Sequence, residues 1–259
     1  MNTISALAGV VIKELYRRKD FYVLFVLTAV ITLAIALVNF FHDPHIVRHI
    51  KEICLMLIWI SALVVAIGTT ARQIPAEREQ RTIFPLLAKP VTRGQVILGK
   101  FAGCWLACGV TLVVFYFFFG VVSGSKDGEW PLGLYGQAFW LQWMMLGIVV
   151  AFVLLGSVVF TAPSSNTTIC FILVIGILLL GGHLNKVALQ AAEPARTIIY
   201  VIYFLIPHLE WYDIRDFITF GHSPVGFGDC ALATLYAAVY TGFLLWAAWM
   251  VFRRKPLNV

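Results

Sequence analysis

From Trp130 to Asn185 the chain carries no Asp, Glu, Lys or Arg. A bilayer core about 30 Å thick is crossed by about 20 apolar residues in a helix. This run is too long for one crossing and suits two. Its break is Ala162-Pro163-Ser164-Ser165-Asn166-Thr167, whose residues favour a turn, so spans are expected at about 138–161 and 168–185. The same reasoning places spans at about 21–41, 53–71, 101–125 and 230–252. All ten prolines fall outside the span cores, where each would cost about 3 kcal/mol. Composition agrees: 61% of residues are hydrophobic and 12% charged, against about 25% charged in a soluble domain. The expected fold is all-α, an integral membrane protein with six transmembrane helices and one domain over residues 1–259.

Lys and Arg set the orientation, because cytoplasmic loops carry the excess. Thirteen of the nineteen fall in 13–19, 72–100 and 253–255, and six (Arg48, Lys51, Lys126, Lys186, Arg196, Arg215) on the opposite side. Both termini and the 72–100 loop are therefore expected in the cytoplasm, with the chain in a bacterial inner membrane. The net charge of +6 lies in these clusters at span ends, which leaves no basic domain for nucleic acid. Arg17-Arg18-Lys19 directly precedes a run long enough to span, so it is expected to begin an uncleaved anchor.

Residues 3–19 admit two readings. Ile4, Leu7, Val11 and Leu15 share a helical face away from Lys13 and Arg17, as in an amphipathic helix on the inner membrane surface; the other reading is a frayed start of the first span. The longest outer segment is 186–229. Its apolar piece 197–209 is too short to span and ends beyond Pro207. It is expected to be re-entrant, with a seventh span as the alternative. Trp211, Tyr212, Phe217 and Phe220 read as an interfacial belt.

The cytoplasmic loop 72–100 is the most informative stretch. Glu77, Arg78, Glu79 and Arg81 form a charge cluster, with Glu77 and Arg81 at i,i+4, a spacing that supports a short helix. Ile83, Phe84, Leu86 and Leu87 then make an apolar patch, and Pro85 and Pro90 interrupt the path. Thr92 and Gln95 form a capping-box pattern, so a new helix is expected near Arg93 and into the third span. Such a loop suits docking to a soluble partner; a solvated loop resting on the membrane fits the same residues.

Glu77, Glu79, Thr82, Leu86, Leu87, Pro90, Arg93, Gly99 and Lys100, with the six-span layout, resemble the permeases of ABC-2 type transporters. The chain departs from that pattern at Arg81, where the family often has Gly, and at Pro85 within the Leu-rich stretch. The outer Ile206-Pro207-His208-Leu209 and Trp211-Tyr212-Asp213 are similar to the segment before the last span in the nitrous-oxide reductase maturation subgroup. The resemblance implies a type V exporter-like fold. It also implies a permease that pairs with a second copy and with a dimer of cytoplasmic ABC ATPases, which hold ATP and Mg. It admits a periplasmic accessory protein beside membrane lipid. Glu77, Arg78, Glu79, Arg81, Thr82, Phe84, Leu86, Leu87, Pro90 and Arg93 are the ATPase-coupling candidates.

Chemistry in the chain itself is sparse. Gly94 to Lys100 fits a P-loop up to its lysine, but Phe101 stands where Ser or Thr would hold magnesium, and the stretch opens a span. No ATPase activity or cofactor is therefore expected in this chain. The span centres hold no ionisable group, which disfavours an ion-coupled carrier. Any path would be lined by neutral groups such as Ser61, Thr69, Thr111, Ser157 and Asn166, for a lipophilic or large cargo. Asp43-Pro44 would cap a helix and set His45 and His49 at i,i+4, a spacing that can hold a metal; an ordinary interfacial loop with a protonatable cluster is the favoured reading. Cys54 and Cys230 near outer span ends leave a disulfide open, and small residues at Gly99, Gly103 and Ala107 allow close helix packing. Two other classes stay open: an integral membrane enzyme acting on lipids, with Glu210, Asp213, Asp216 and the outer histidines as its only polar group, and a non-transporting scaffold.

Overall fold

The computed structural model describes residues 3–17, 19–37, 46–79, 92–128, 130–190 and 192–255. Among these residues there is helix and no strand. The order is α1 (Thr3–Arg17), α2 (Lys19–Leu37), α3 (Ile46–Thr70), α4 (Pro75–Glu79), α5 (Arg93–Asp127), α6 (Leu132–Val159), α7 (Pro163–Gln190), α8 (Ala195–Leu205), a 3-10 turn (Leu209–Tyr212), α9 (Arg215–Phe220) and α10 (Phe227–Arg254). Helices α3, α5, α6, α7 and α10 are long and apolar enough to cross a membrane, while the apolar stretch Phe21–Ile35 of α2 is shorter.

Helices outrun the expected spans because charge ends the apolar run without ending the backbone ladder. Thus α3 begins at Ile46 and carries Arg48, Lys51 and Glu52 in its first turns. The turn expected over 162–167 is also narrower. Proline is tolerated at a first helical position, where its missing N–H has no partner to lose, and α7 starts on Pro163 itself.

Helix α6 is the axis of the bundle. Met145, Leu146, Val150 and Leu154 are fully buried on successive faces, as required of a helix that is hydrophobic all round. Helices α10, α5, α3 and α7 pack around it. Its joint with α5 is a pair of tryptophans. Trp105 Nε1 donates to the Trp143 carbonyl and Trp143 Nε1 to the Trp105 carbonyl, both at 3.0 Å, with rings stacked 4.5 Å apart. Glycines make the room: a Cβ at Gly109 would lie 2.8 Å from Trp143 Nε1, and one at Gly147 3.1 Å from Trp105 Nε1.

The small-residue stripe of α5 is used within the chain. A Cβ at Gly103 would meet Val11 Cβ at 2.7 Å, and α1 docks here with Ala8 and Val11 buried. The N-terminal helix is therefore packed on α5 rather than being the frayed start of α2.

The polar residues expected to line a path are instead satisfied inside helix contacts. Thr69, Thr111 and Ser157 donate to the carbonyls of Val65, Ala107 and Leu154 at 2.6, 3.0 and 2.7 Å. Ser61 lies 3.3 Å from the Thr28 hydroxyl, and the Asn166 amide donates to the Ala71 carbonyl at 2.9 Å. In an apolar medium such internal bonds are the cheapest way to carry a hydroxyl. All five cysteines are free thiols, so Cys54 and Cys230 are not joined.

Candidate functional site

The two ends of the bundle differ in chemistry. One end, the loop end, gathers α4, the start of α5 and the last residues of α10. Its local folding begins at Thr92. The Thr92 hydroxyl accepts from Gln95 N at 3.3 Å and Gln95 Oε1 accepts from Thr92 N at 2.9 Å, the reciprocal bonds of a capping box. Helix α5 runs on through Gly94 to Lys100, so no phosphate-binding loop forms there.

Lys100, 4% exposed, is the centre of this end. Its amine donates to Glu77 Oε1 at 2.5 Å and to Gln73 Oε1 at 3.0 Å. The Gln73 amide reaches the Thr69 carbonyl at 3.3 Å and Glu14 Oε2 at 3.5 Å. One buried cation thus ties α1, the end of α3, α4 and α5 together. A charge at this depth needs such partners, because the desolvation cost of an unpaired ammonium is several kcal/mol, order of magnitude.

Helix ends are tied by charge as well. The Arg93 guanidinium donates to the carbonyls of Phe252, Arg253 and Lys255 at 2.5, 3.1 and 3.1 Å and lies 5.4 Å from the Phe252 ring centre. Lys255 in turn donates to Val158 and Val159 carbonyls at 2.8 and 2.7 Å. Cations on the last carbonyls of a helix satisfy orphan acceptors and complement the dipole. Arg93 therefore closes α10, and Lys255 closes α6. Partial burial, then the nearby charge of Arg78, push the Lys255 amine below its ordinary value. Burial alone does the same to Arg78, whose Nε and one terminal nitrogen are buried without a hydrogen bond.

Of the coupling candidates, Glu77, Arg78 and Glu79 lie together on α4 and Arg93 opens α5. Arg81, Thr82, Phe84, Leu86, Leu87 and Pro90 lie outside the described residues. The structure divides the candidates by burden: Glu77 and Arg93 are engaged internally, while Glu79 is exposed. Sequence reasoning missed Gln73, Asn166 and Lys255 as joints. Lys255 had a signal, a lysine directly after the last apolar run; Gln73 had none.

The other end, the cap end, is covered by α8, the 3-10 turn and α9. Tyr212 is buried and its hydroxyl donates to the Ala233 carbonyl at 2.7 Å, so it is a core residue rather than part of an interfacial belt. Trp211, Phe217 and Phe220 remain exposed. Gln137 pairs with both backbone groups of Val225 at 3.0 Å. Asp213 holds Arg215 by two bonds, 2.8 and 2.6 Å, over the Trp59 ring; hydrogen bonding to Asp213 raises the Arg215 pKa. His208 Nδ1 lies 3.3 Å from Glu210 Oε1, close enough for attraction but without hydrogen-bond geometry. His49 sits on α3 and is solvent-exposed, and His45 lies outside the described residues. Among the described residues no group of three or more His, Cys, Asp or Glu could hold a metal.

The family model for ABC-2 family transporter proteins matches residues 6–252, which takes in α1, both ends of the bundle and nearly all of α10. No curated protein matches the chain. With its apolar helices and a match over almost its whole length, the chain belongs to the ABC-2 transporter family as a multi-pass membrane transport component.

Proposed function

We propose that the chain is the permease subunit of an ATP-driven exporter, worked by a separate cytoplasmic ATPase that holds ATP and Mg. The observation that supports this most is the Lys100 joint. Force applied to α4 reaches α5 through Glu77 and Lys100, and α5 carries it on to α10 through Arg93. Exposed Glu79 and the under-bonded Arg78 are the groups on α4 left to meet a partner. The six-span reading adds α2 to the five long helices, puts both termini in the cytoplasm on the charge bias, and leaves α1 at the inner interface. Helix α8, with Ile198, Val201 and Phe204 exposed, is then the re-entrant or interfacial piece on the outer side. The working unit is a homodimer of permeases in an inner membrane.

Co-purification after gentle extraction tests this. A soluble ATPase should accompany the wild type and be lost in Arg78→Glu/Glu79→Lys, with thermal unfolding unchanged. A preparation free of any ATPase sinks the reading. Charge reversal at Glu77 is unsuitable, since it would break the Lys100 pair.

Two finer readings belong here. The outer 206–213 motif supports the nitrous-oxide reductase maturation subgroup. Cells lacking this chain should then make a copper-poor reductase, and normal copper content would count against it. The His45/His49 spacing supports a metal site on the outer face, for which copper or zinc binding should vanish in the double alanine variant.

A further inference from the structure

Helices α2, α3 and α7 do not close fully at the loop end. Between them lies a cavity of about 300 Å³. Phe21 and Leu24 of α2, Val64 of α3 and Phe171 of α7 wall it. Gly68 leaves its floor open: a Cβ there would meet no atom within 4 Å. From Thr69 near the end of α3 to Val64 the groove follows more than one turn of the helix, about 7.5 Å at 1.5 Å per residue, with Arg72 just beyond it at the rim.

The rim is charged and the rest is not. Arg72 is exposed and lines the cavity, and its guanidinium has no partner among the described residues. Several other arginines of the chain are engaged. Arg93 and Arg215 are hydrogen-bonded, and Arg48 and Arg253 sit over aromatic rings. The two hydroxyls in the groove are already committed, Thr69 to the Val65 carbonyl at 2.6 Å and Thr167 to the Pro163 carbonyl at 2.9 Å. Among the residues that line the groove, polar recognition falls to Arg72. Lys19, exposed at the start of α2, adds a second positive charge just before Phe21.

We infer that this groove binds an anionic phospholipid, with an acyl chain among Phe21, Leu24, Gly68 and Phe171 and the phosphate on Arg72. Charge complementarity selects the occupant. Basic side chains at the cytoplasmic surface attract anionic headgroups, and a guanidinium matches a phosphate bidentately. A packed partner helix would cover the walls but make no use of the cation at the rim. The inference rests on the proposed orientation, which puts Arg72 at the inner leaflet.

Native mass spectrometry of the intact detergent-solubilised chain tests it, with phosphatidylglycerol and phosphatidylcholine offered at equal concentration. The wild type should retain phosphatidylglycerol about tenfold over phosphatidylcholine. Arg72→Gln should abolish that preference and Arg72→Lys should restore part of it. Gly68→Leu should remove the retained lipid while helicity and elution volume stay unchanged. Millimolar inorganic phosphate should not compete, which separates an amphiphile from a free anion. Equal retention of both lipids by the wild type would overturn the inference. So would a preference that survives Arg72→Gln, displacement by phosphate, or a change of oligomeric mass in Gly68→Leu, which would mean a second copy fills the groove. Orientation is read separately, from which side a membrane-impermeant thiol reagent labels Arg72→Cys in a Cys230→Ala background. Outside labelling would refute the topology without touching the binding result.

Discussion

At the loop end, helices are joined by cations, with Lys100 buried against Glu77 and half-buried Arg93 and Lys255 on helix-end carbonyls. At the cap end, joints between helices are made mainly by neutral groups: Tyr212 on the Ala233 carbonyl, Trp140 on Thr234 at 3.0 Å, and Gln137 on Val225. The bidentate ion pair described there, Asp213 with Arg215, is local in sequence and reaches α3 only where Arg215 lies over the Trp59 ring. Charge-assisted bonds are roughly twice as strong as neutral ones, so the loop end is the more firmly tied of the two. If the chain is pushed from the loop end, as proposed, the firmer joints lie where the force would arrive.

Breaking the stiff end should cost most. Lys100→Met strands Glu77 in a partly buried site, and losing one member of a buried pair costs about 3–5 kcal/mol. Thermal unfolding in detergent should shift accordingly, and Lys100→Met/Glu77→Gln should recover much of the loss. A drop as small as that of a surface substitution would erase the contrast between the ends.

Next comes Arg93→Ala, which removes charged bonds to three carbonyls and should cost about 1.5–3 kcal/mol. Arg93→Lys should rescue only in part, since an ammonium cannot reproduce the guanidinium fork. If coupling runs through this joint, ATPase activity in the complex should persist while transport falls, a split that a purely structural role would not give.

The mid-bundle provides the reference between the two ends. Gly109→Ala forces the Trp143 indole out of its place and should cost about 1–3 kcal/mol as overpacking, read by unfolding and by tryptophan fluorescence. The smallest effect is expected at the cap. Tyr212→Phe deletes one neutral hydrogen bond, worth about 1 kcal/mol. A larger loss there than at Arg93 would reverse the comparison.

Much of this was legible in the residues. The capping box at Thr92 and Gln95 is local, so its start of α5 could be read from spacing. The long apolar helices follow from the absence of charge. Harder to read were side chains whose role depends on a distant partner. The spacing that made Arg93 a coupling candidate gave no sign that it meets carbonyls of residues 252, 253 and 255. Asn166 and Ser157 looked like path lining and are internal ties. Glycines 103, 109 and 147 gave no sign of which side chain would fill the space beside them.

The sequence by itself determined that the chain is a helical membrane protein, because a backbone in lipid must satisfy its own hydrogen bonds and apolar length sets where it can cross. It also determined, through charge at the span ends, which segments group together. Only the tertiary structure decided what each charge does. Lys100, Arg93, Lys255 and Arg72 are all basic residues near span ends, and nothing local tells them apart. Three find carboxylates, amides or carbonyls on helices far off in sequence, and one is left at the rim of an open groove. That assignment depends on which helix ends meet, and only the packing of the whole bundle sets it.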